Sequence, residues 1–290
     1  MSQLNFKAIG TSWKIDLYQK IGEIKEAKLF DTIKRRIEVF ENDYSRFREN
    51  SLITQISKEE SRGKTFKLPA DANEMISLYH KLYNLTDGLM TPLIGNLLSD
   101  AGYDAEYSLV AKERLMSPPT WEESMEYNHP NLLVKEPVLL DFGAAGKGYI
   151  IDIIGKLLED NSVYEYCIDA GGDILHKGKP IRVGLENPKD TTEVIGVYNL
   201  GDGSICGSAG NRRAWDRFTH IMNPKTLESS SDISAIWVIA KTAMLADAMT
   251  TCLFFVPAYK LMDEYEFEYV ILFKDFSIEK SAGFEAEFFA

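Results

Sequence analysis

Hydrophobic residues recur three and four positions apart in several stretches of the chain, which is the spacing of an amphipathic helix. The helices predicted in this way cover residues 23–40, 71–82, 149–158 and 242–254, with shorter ones beginning at Ser51 and Pro92. Apolar runs bounded by Gly, Asp and Asn predict strands. These lie at residues 4–17 (a strand or a hairpin), 138–140, 164–168, 181–185, 194–198, 204–206, 233–240, 269–273 and 276–279. Strands and helices mix without a regular βαβ alternation, so the predicted class is α+β with mixed or antiparallel sheets.

Two regions fit this pattern less well. Residues 104–136 show little periodicity and contain two consecutive prolines, so they are predicted to form a long connection with little regular structure and an exposed Trp121. Within the first strand region, Gly10 and Thr11 predict a β-bulge.

Composition sets bounds on the function. The chain has 290 residues, of which 45% are hydrophobic and 11% aromatic, and these are ample for a packed core. The formal net charge of −12 argues against a nucleic-acid partner, because phosphate binding depends on clustered cations. A metal ion would still let an acidic protein hold a phosphorylated ligand.

Cysteine usage and hydropathy bear on the compartment. Cys167, Cys206 and Cys252 are far apart and are expected to be buried thiols rather than a disulfide framework or a zinc cluster. The N-terminal residues lack the charged-then-apolar layout of a secretion signal, and no lipidation cysteine lies near them. The apolar region 233–257 is interrupted by Lys241 and Asp247, so it predicts no membrane span. The expectation is a cytoplasmic protein with no membrane insertion; the oligomeric state is left open.

A glycine-dense turn between a predicted strand and a predicted helix is the most informative stretch. After the apolar residues 138–140 come residues 143–148 (GAAGKG), and helical spacing begins at Tyr149. A strand that feeds such a turn and then a helix presents free N–H groups and the positive end of a helix dipole to a negative ligand. The spacing matches neither a Walker loop nor the dinucleotide fingerprint. A tight structural turn is the alternative reading.

Polar residues inside apolar elements give further candidates. In the helix 242–254, Asp247 and Thr251 are four residues apart and therefore share a face. Their oxygens suit a hard cation such as Mg²⁺, and a backbone carbonyl from a glycine turn could supply a third ligand. The alternative is local: Asp247 caps or pairs nearby, and Thr251 bonds back to its own helix.

Three other positions stand out. Gly172 and Asp173 follow a strand in a turn where a ligand could approach the backbone, although an ordinary turn would normally be favoured. His220 is a candidate catalyst or a satisfied core histidine. Lys147 lies at a helix start, where the dipole disfavours a cation, and a nearby anion would explain its position.

Taken in chain order, several of these segments resemble the motifs of one family, the ApbE family of FAD:protein FMN transferases. The chain's opening FKAIGT is similar to F-x-A-M-G-T, and its DFGAAGKGY is similar to D-L-G-G-I-A-K-G-Y. The remaining resemblances are SRF to S-x-F, TDG with GYD to the D-G…G-F-D segment, AGGDI to A-G-G-D-I, SAG to T-S-G, HI with Pro224 to H-H-I…P, and ADAMTT to A-D-A-L-A-T. The matching segments run from about residue 6 to residue 255.

The resemblance implies an activity and a fold. Enzymes of this family cleave FAD and join FMN through a phosphoester to a Ser or Thr hydroxyl of a target flavoprotein, releasing AMP. This is metal-assisted phosphoryl transfer. The implied architecture is ApbE-like and T-fold-like, with residues 1–290 as one catalytic domain, or two lobes with the FAD and Mg²⁺ site between them.

Carried over by position, the resemblance also assigns the site. The Mg²⁺ ligands would be Asp247, Thr251 and the backbone carbonyl of Gly146, and His220 would be the general base. The residues implied to line the FAD site are Ile9 beside the adenine, Lys147, Asp152, Gly172, Asp173 and Ser208.

The chain departs from the family pattern at several positions. Thr91 and Ala209 stand where the motifs have Asp and Ser, and Ile9, Ala144, Gly146 and Thr219 replace Met, Gly, Ala and His. Two alternatives to transfer therefore stay open: a Mg²⁺-dependent FAD pyrophosphatase giving FMN and AMP, and a non-catalytic FAD-binding protein.

Overall fold

The computed structural model describes residues 2–210, 213–229 and 232–289. Its helices are α1 Glu23–Tyr44, α2 Leu52–Ile56, α3 Ala72–Leu85, α4 Gly95–Asp100, α5 Trp121–Ser124, α6 Gly146–Asp160, α7 Ala243–Cys252 and α8 Tyr259–Met262. Its strands are β1 Ser2–Ala8, β2 Thr11–Leu17, β3 Thr65–Lys67, β4 Met125–Asn128, β5 Asn131–Val134, β6 Tyr166–Ala170, β7 Ile174–Lys177, β8 Ile181–Asn187, β9 Asp190–Leu200, β10 Gly203–Ala209, β11 Ala214–Trp215, β12 Phe218–Thr219, β13 Ile233–Ala240, β14 Glu268–Phe273, β15 Ile278–Lys280 and β16 Ala286–Phe288.

One large sheet organises the molecule. Its eight strands lie in the order β1-β2-β6-β7-β10-β13-β14-β15, and neighbouring strands are antiparallel. Smaller antiparallel sheets are β16-β9-β8, β3-β5-β4 and β11-β12. This arrangement confirms the predicted α+β class with antiparallel sheets.

The large sheet has a separate core on each face, because successive side chains of a strand point to opposite sides. On one side, Ile236 and Val238 of β13 join the core formed with α1, α3, α6 and α7. On the other side, Ala235 and Trp237 of the same strand join a smaller core with Leu185 and with residues of β9 and β16. The helical core positions the candidate site.

Several local predictions were wrong. Residues 138–140 form no strand: Val138 and Leu140 are buried without strand partners, and the N–H of the next residue, Asp141, donates to the Pro92 carbonyl. The connection 104–136 is more structured than expected, since it contains α5 and the β4-β5 hairpin. These elements are only four residues long, too short for a period to emerge. Trp121 is 6% exposed rather than surface-lying, because it packs against His80 and Tyr83.

The predicted bulge is instead a tight hairpin. Ala8 pairs with Thr11, and the two residues between them, Ile9 and Gly10, have φ values of 50° and 67°. Positive φ at both central positions is the type I′ geometry, whose twist matches that of the flanking strands. The turn carries the tip of β1-β2 to the candidate site.

No helix in the described parts of the chain is long and apolar enough to cross a membrane.

Candidate functional site

A cleft of about 380 Å³ opens where the glycine turn, α7 and the ends of several sheet strands meet. Its size falls within the range of small-molecule sites. Its polar and backbone lining comes from the β1-β2 tip (Gly10, Thr11), Thr91, the glycine turn (Asp141, Gly143, Ala144, Lys147), Gly171, the end of β10 (Gly207, Ser208, Ala209), Arg213, His220, and α7 (Asp247, Thr251). We call it the main cleft.

A second cleft of about 180 Å³ adjoins the first, and we call it the aromatic cleft. The two share seven lining residues, among them Gly143, Lys147 and Arg213. Rings line much of the aromatic cleft: Phe40, Tyr44, Phe47, Tyr103, Tyr107 and Phe142. A ligand with a flat ring and a charged linker could therefore extend through both clefts.

The two predicted metal ligands on α7, Asp247 and Thr251, both line the main cleft. Asp247 is 4% exposed, and its Oδ2 accepts the Gly148 N–H at 2.9 Å. Burial raises the pKa of this carboxyl, while the positive charge of Lys147 acts in the opposite direction. No described residue hydrogen-bonds to Asp247 Oδ1 or to Thr251 Oγ1. Two oxygens in one cleft are therefore left for a ligand.

The hydrogen bonds around α7 bear on the alternative in which Asp247 pairs nearby and Thr251 bonds back to its own helix. The threonine that bonds back to its helix is Thr250, whose hydroxyl donates to the Asp247 carbonyl at 2.7 Å. The partner of the Asp247 side chain belongs to another helix, α6. Neither Asp247 nor Thr251 is therefore engaged in the way that a purely local role requires.

The glycine turn reaches the main cleft through a different residue from the predicted one. Gly146 is the first residue of α6 and lines only the aromatic cleft among the described cavities. Ala144 and Gly143, which precede the helix, line the main cleft together with Asp247 and Thr251. A helical carbonyl points along the helix axis toward the residue four positions later. The carbonyls of Gly143 and Ala144 are therefore further candidates, and the Gly146 carbonyl stays a prediction.

Asp152 is not brought to either cleft among the described residues. Its Oδ1 accepts the N–H of Ala243 and its Oδ2 accepts the N–H of Met244, each at 2.8 Å. Burial raises the pKa of Asp152 to about 7, and the two N–H groups act against this rise. Both oxygens are committed to the first turn of α7, so the carboxylate has the geometry of a helix cap.

Lys147 and Asp173 form an ion pair at the base of the main cleft. Asp173 is fully buried, and its Oδ1 also accepts the Gly207 N–H at 3.2 Å. Lys147 retains 22% of its side-chain exposure and lines both clefts. The anion that the position of Lys147 suggested is therefore present in the protein itself. Lys147 faces the ligand space, and Asp173 lies behind it.

The other predicted FAD residues fall into two groups. Ser208 lines the main cleft and shares a hydrogen bond of 2.8 Å with Thr250. Ile9 lines the aromatic cleft, and its N–H donates to Glu41 at 3.2 Å. Gly172 instead faces a cavity on the opposite side of the sheet, while its neighbour Gly171 lines the main cleft.

His220 lines the main cleft, and its Nδ1 is buried without a hydrogen-bond partner among the described residues. Burial, together with the nearby Arg213 charge, lowers the pKa of this imidazole to about 4. The ring is therefore neutral at neutral pH. A neutral imidazole at a ligand cleft can accept a proton.

A buried ion pair at the cleft junction was not predicted. Arg46, whose side chain is 2% exposed, pairs with Asp141, and its Nη1 donates to the Tyr103 carbonyl at 2.7 Å. Its guanidinium lies 4.2 Å from the centre of the Phe47 ring. The motif that contains Asp141 pointed to this region, but the 95 residues between the two partners hide their pairing in the sequence.

Arg213 also belongs to the site and was not predicted. It lines both clefts and donates to the Tyr103 hydroxyl.

Thr91 and Ala209, the departures from the family motifs, both line the main cleft, so the substitutions fall at the ligand surface. The described parts of the chain contain no cluster of three or more His, Cys, Asp or Glu residues suited to a metal.

The chain is similar to a known family, to curated proteins and to solved structures. The model of the ApbE family matches residues 9–271. The FAD:protein FMN transferase of Haemophilus influenzae is 23% identical over 90% of this chain and 82% of its own length, and that of Escherichia coli K12 is 23% identical over 86% and 76%. Among solved structures, the flavin transferase ApbE from Vibrio cholerae has a TM-score of 0.81 at 21% identity, covering 98% of this chain and 97% of its own. The ApbE protein of Thermotoga maritima has a TM-score of 0.79 at 22% identity, with the same two coverages.

The chain belongs to the ApbE family. The match confirms the family and the transferase class that the sequence motifs predicted, and the structural similarity confirms the fold.

Proposed function

We propose that this protein transfers FMN from FAD to a Ser or Thr hydroxyl of a target flavoprotein and releases AMP. The observation that carries the proposal is that Asp247 and Thr251 line one cleft with Lys147, His220 and the glycine turn, and that each of the pair has an oxygen with no described partner. The relatives named above as FAD:protein FMN transferases support the same chemistry.

The donor set fits one hard divalent cation. Asp247 Oδ1, Thr251 Oγ1 and a carbonyl of the turn before α6 or of Gly146 would hold Mg²⁺. When bound, Mg²⁺ supplies charge neutralisation at the bridging phosphates of FAD. A cation beside Asp247 also favours the ionised carboxylate, whose burial otherwise raises its pKa.

The remaining residues bind and orient the substrate. Lys147 brings a positive charge to the junction of the two clefts, and it is held there by Asp173, which in turn accepts the Gly207 N–H. Arg213 brings a second cation to the same junction. The rings of the aromatic cleft offer stacking surfaces for one flat end of FAD.

His220 would accept the proton of the incoming hydroxyl. Its lowered pKa keeps the ring neutral at pH 7, so one ring nitrogen can accept a proton, and Nδ1 is not committed to another residue among those described. A base with a pKa of about 4 is weaker than an ordinary imidazole, so its contribution rests on position as much as on basicity.

The test measures both products together. Purified protein is incubated with FAD, Mg²⁺ and apo-flavoproteins of the source organism that were produced without a flavin transferase. AMP is quantified by chromatography, and covalent flavin by in-gel fluorescence and mass spectrometry. We expect AMP and flavinylated protein in equal amounts. AMP released equally fast without acceptor would indicate a pyrophosphatase, and stable FAD binding without AMP would indicate a binding protein; either result would refute transfer.

A further inference from the structure

The helix that carries Asp247 and Thr251 is held at its N-terminus by a neighbouring helix. The N–H groups of Ala243 and Met244, the first two residues of α7, have no partner within their own helix. Each donates to one oxygen of Asp152 on α6 at 2.8 Å. The negative charge also lies at the positive end of the α7 dipole.

A second contact joins the two helices one turn further along. Gly148 precedes Asp152 by four residues on α6 and therefore lies on the same helix face. Its N–H donates to Asp247 Oδ2 at 2.9 Å. A Cβ at Gly148 would lie 2.1 Å from the Ala243 carbonyl oxygen, so the backbones meet directly. The two contacts together fix α7 both along and across α6.

We propose that Asp152 is a positioning residue for the cation site, acting through α7 rather than by contact with metal or FAD. Its carboxylate sets where Asp247 and Thr251 stand relative to the glycine turn, which is the start of the same helix α6. Both of its oxygens are occupied, and it lines neither cleft among the described residues. The inference rests on the proposed function, because it takes Asp247 and Thr251 as ligands of a divalent cation.

The matched control is a cap on the same helix that does not involve α6. Thr242 Oγ1 accepts the Leu245 N–H at 3.3 Å, so Thr242→Ala removes a cap of α7 but leaves the link to α6 intact. Asp152→Asn removes the charge and replaces one acceptor by a donor that faces an N–H group. Both variants should lower the midpoint of urea unfolding. Only Asp152→Asn should displace the ligands.

The direct readout is binding of Mn²⁺ without FAD, followed by the electron paramagnetic resonance signal of the free ion. We expect the Kd for Mn²⁺ to rise about 10- to 100-fold in Asp152→Asn, as when outer residues of a metal site are lost, and to stay within about 2-fold in Thr242→Ala. In AMP release, Asp152→Asn should raise the Mg²⁺ concentration for half-maximal rate more than it lowers the rate at saturating Mg²⁺.

Several outcomes would overturn the inference. An unchanged Kd in folded Asp152→Asn would do so, and so would equal losses in both variants, which would indicate general destabilisation. If Asp152→Asn does not fold, Asp152→Glu keeps the charge and both acceptors, and its extra methylene should still raise the Kd; an unchanged Kd there also overturns the inference. If the wild-type protein binds no Mn²⁺, the proposed cation site fails instead, and the two failures are thus distinguished.

Discussion

The contact between Gly148 and α7 makes a single methyl group a sensitive probe of the site. In Gly148→Ala, the new Cβ would lie 2.1 Å from the Ala243 carbonyl oxygen, 2.4 Å from its carbon and 2.7 Å from the Met244 nitrogen. Non-bonded atoms of this kind normally stay more than about 3 Å apart, so α7 must move away by roughly 1 Å. The opposing atoms are backbone and cannot rotate aside.

The sizes of the opposing effects indicate that Gly148→Ala lowers the free energy of unfolding. Alanine in a helix gains at most about 1 kcal/mol over glycine. Against this, overpacking costs about 1–3 kcal/mol. A displacement of about 1 Å also stretches three hydrogen bonds that now measure 2.8–2.9 Å, those of Asp247 and Asp152, beyond useful length. Hydrogen bonds to charged groups contribute about 1.5–3 kcal/mol each. We expect a net loss of more than about 4 kcal/mol in the free energy of unfolding.

Gly146→Ala is the matched control, two residues earlier on the same helix. The nearest atom to its new Cβ is the Phe142 Cβ at 3.4 Å, an ordinary contact, so we expect a change between zero and about 1 kcal/mol of stabilisation. Both variants are compared by urea unfolding and by Mn²⁺ binding. If Gly148→Ala proved as stable as Gly146→Ala and bound Mn²⁺ equally well, the close approach of α6 and α7 would not hold the site as inferred.

Three further predictions follow from the same site. Asp247→Ala should lower Mg²⁺-dependent AMP release by more than about 100-fold, the upper range for a residue that only supports a ligand, while circular dichroism stays unchanged. A folded pKa of about 4 for His220 against an unfolded value of 6.5 means that its contribution to stability is complete above pH 6.5 and is lost as pH falls toward 4. His220→Gln should therefore remove about 2–3 kcal/mol of the stability change between pH 7.5 and 4.5, measured by urea unfolding; identical pH profiles would contradict the lowered pKa. Arg46→Met should cost about 3–5 kcal/mol by leaving Asp141 buried without its partner, and adding Asp141→Asn should restore part of it; no recovery in the double variant would contradict the pairing.

The sequence predicted the long elements well because their periodicity spans several turns. The helix predicted at 242–254 is α7, Ala243–Cys252, and the helix at 23–40 lies within α1, Glu23–Tyr44. The elements that were not predicted are only two to four residues long, and those such as α5, β4 and β5 depend on burial by distant neighbours. Residues 138–140 were misread because an apolar run is buried equally well without strand partners.

From residue spacing alone, the site was predictable only where two functional groups share one helix or strand. Asp247 and Thr251 are four residues apart on one helix, so their common face follows from the helical period. The role of Asp152 depends on the packing of α6 against α7, about 90 residues apart in the chain, as does the placement of Ala144 rather than Gly146 in the main cleft. Family motifs identify the neighbourhood of such residues but not the direction of each side chain.

The two cores on opposite faces of the large sheet differ in their distance from the candidate site, because the helical core positions the site and the smaller core does not. Substitutions in the layer built from β8, β9 and β16 alter a core that contains neither Asp247 nor His220, so we expect turnover to tolerate them better than substitutions in the helical core. Two residues of β10 are exceptions: Gly207 lines a cavity on each face, and Ala209 belongs to the smaller core while lining the main cleft. Substitutions in the smaller core can therefore reach the main cleft through β10, and a larger side chain at either of these positions should affect both the core and the ligand site.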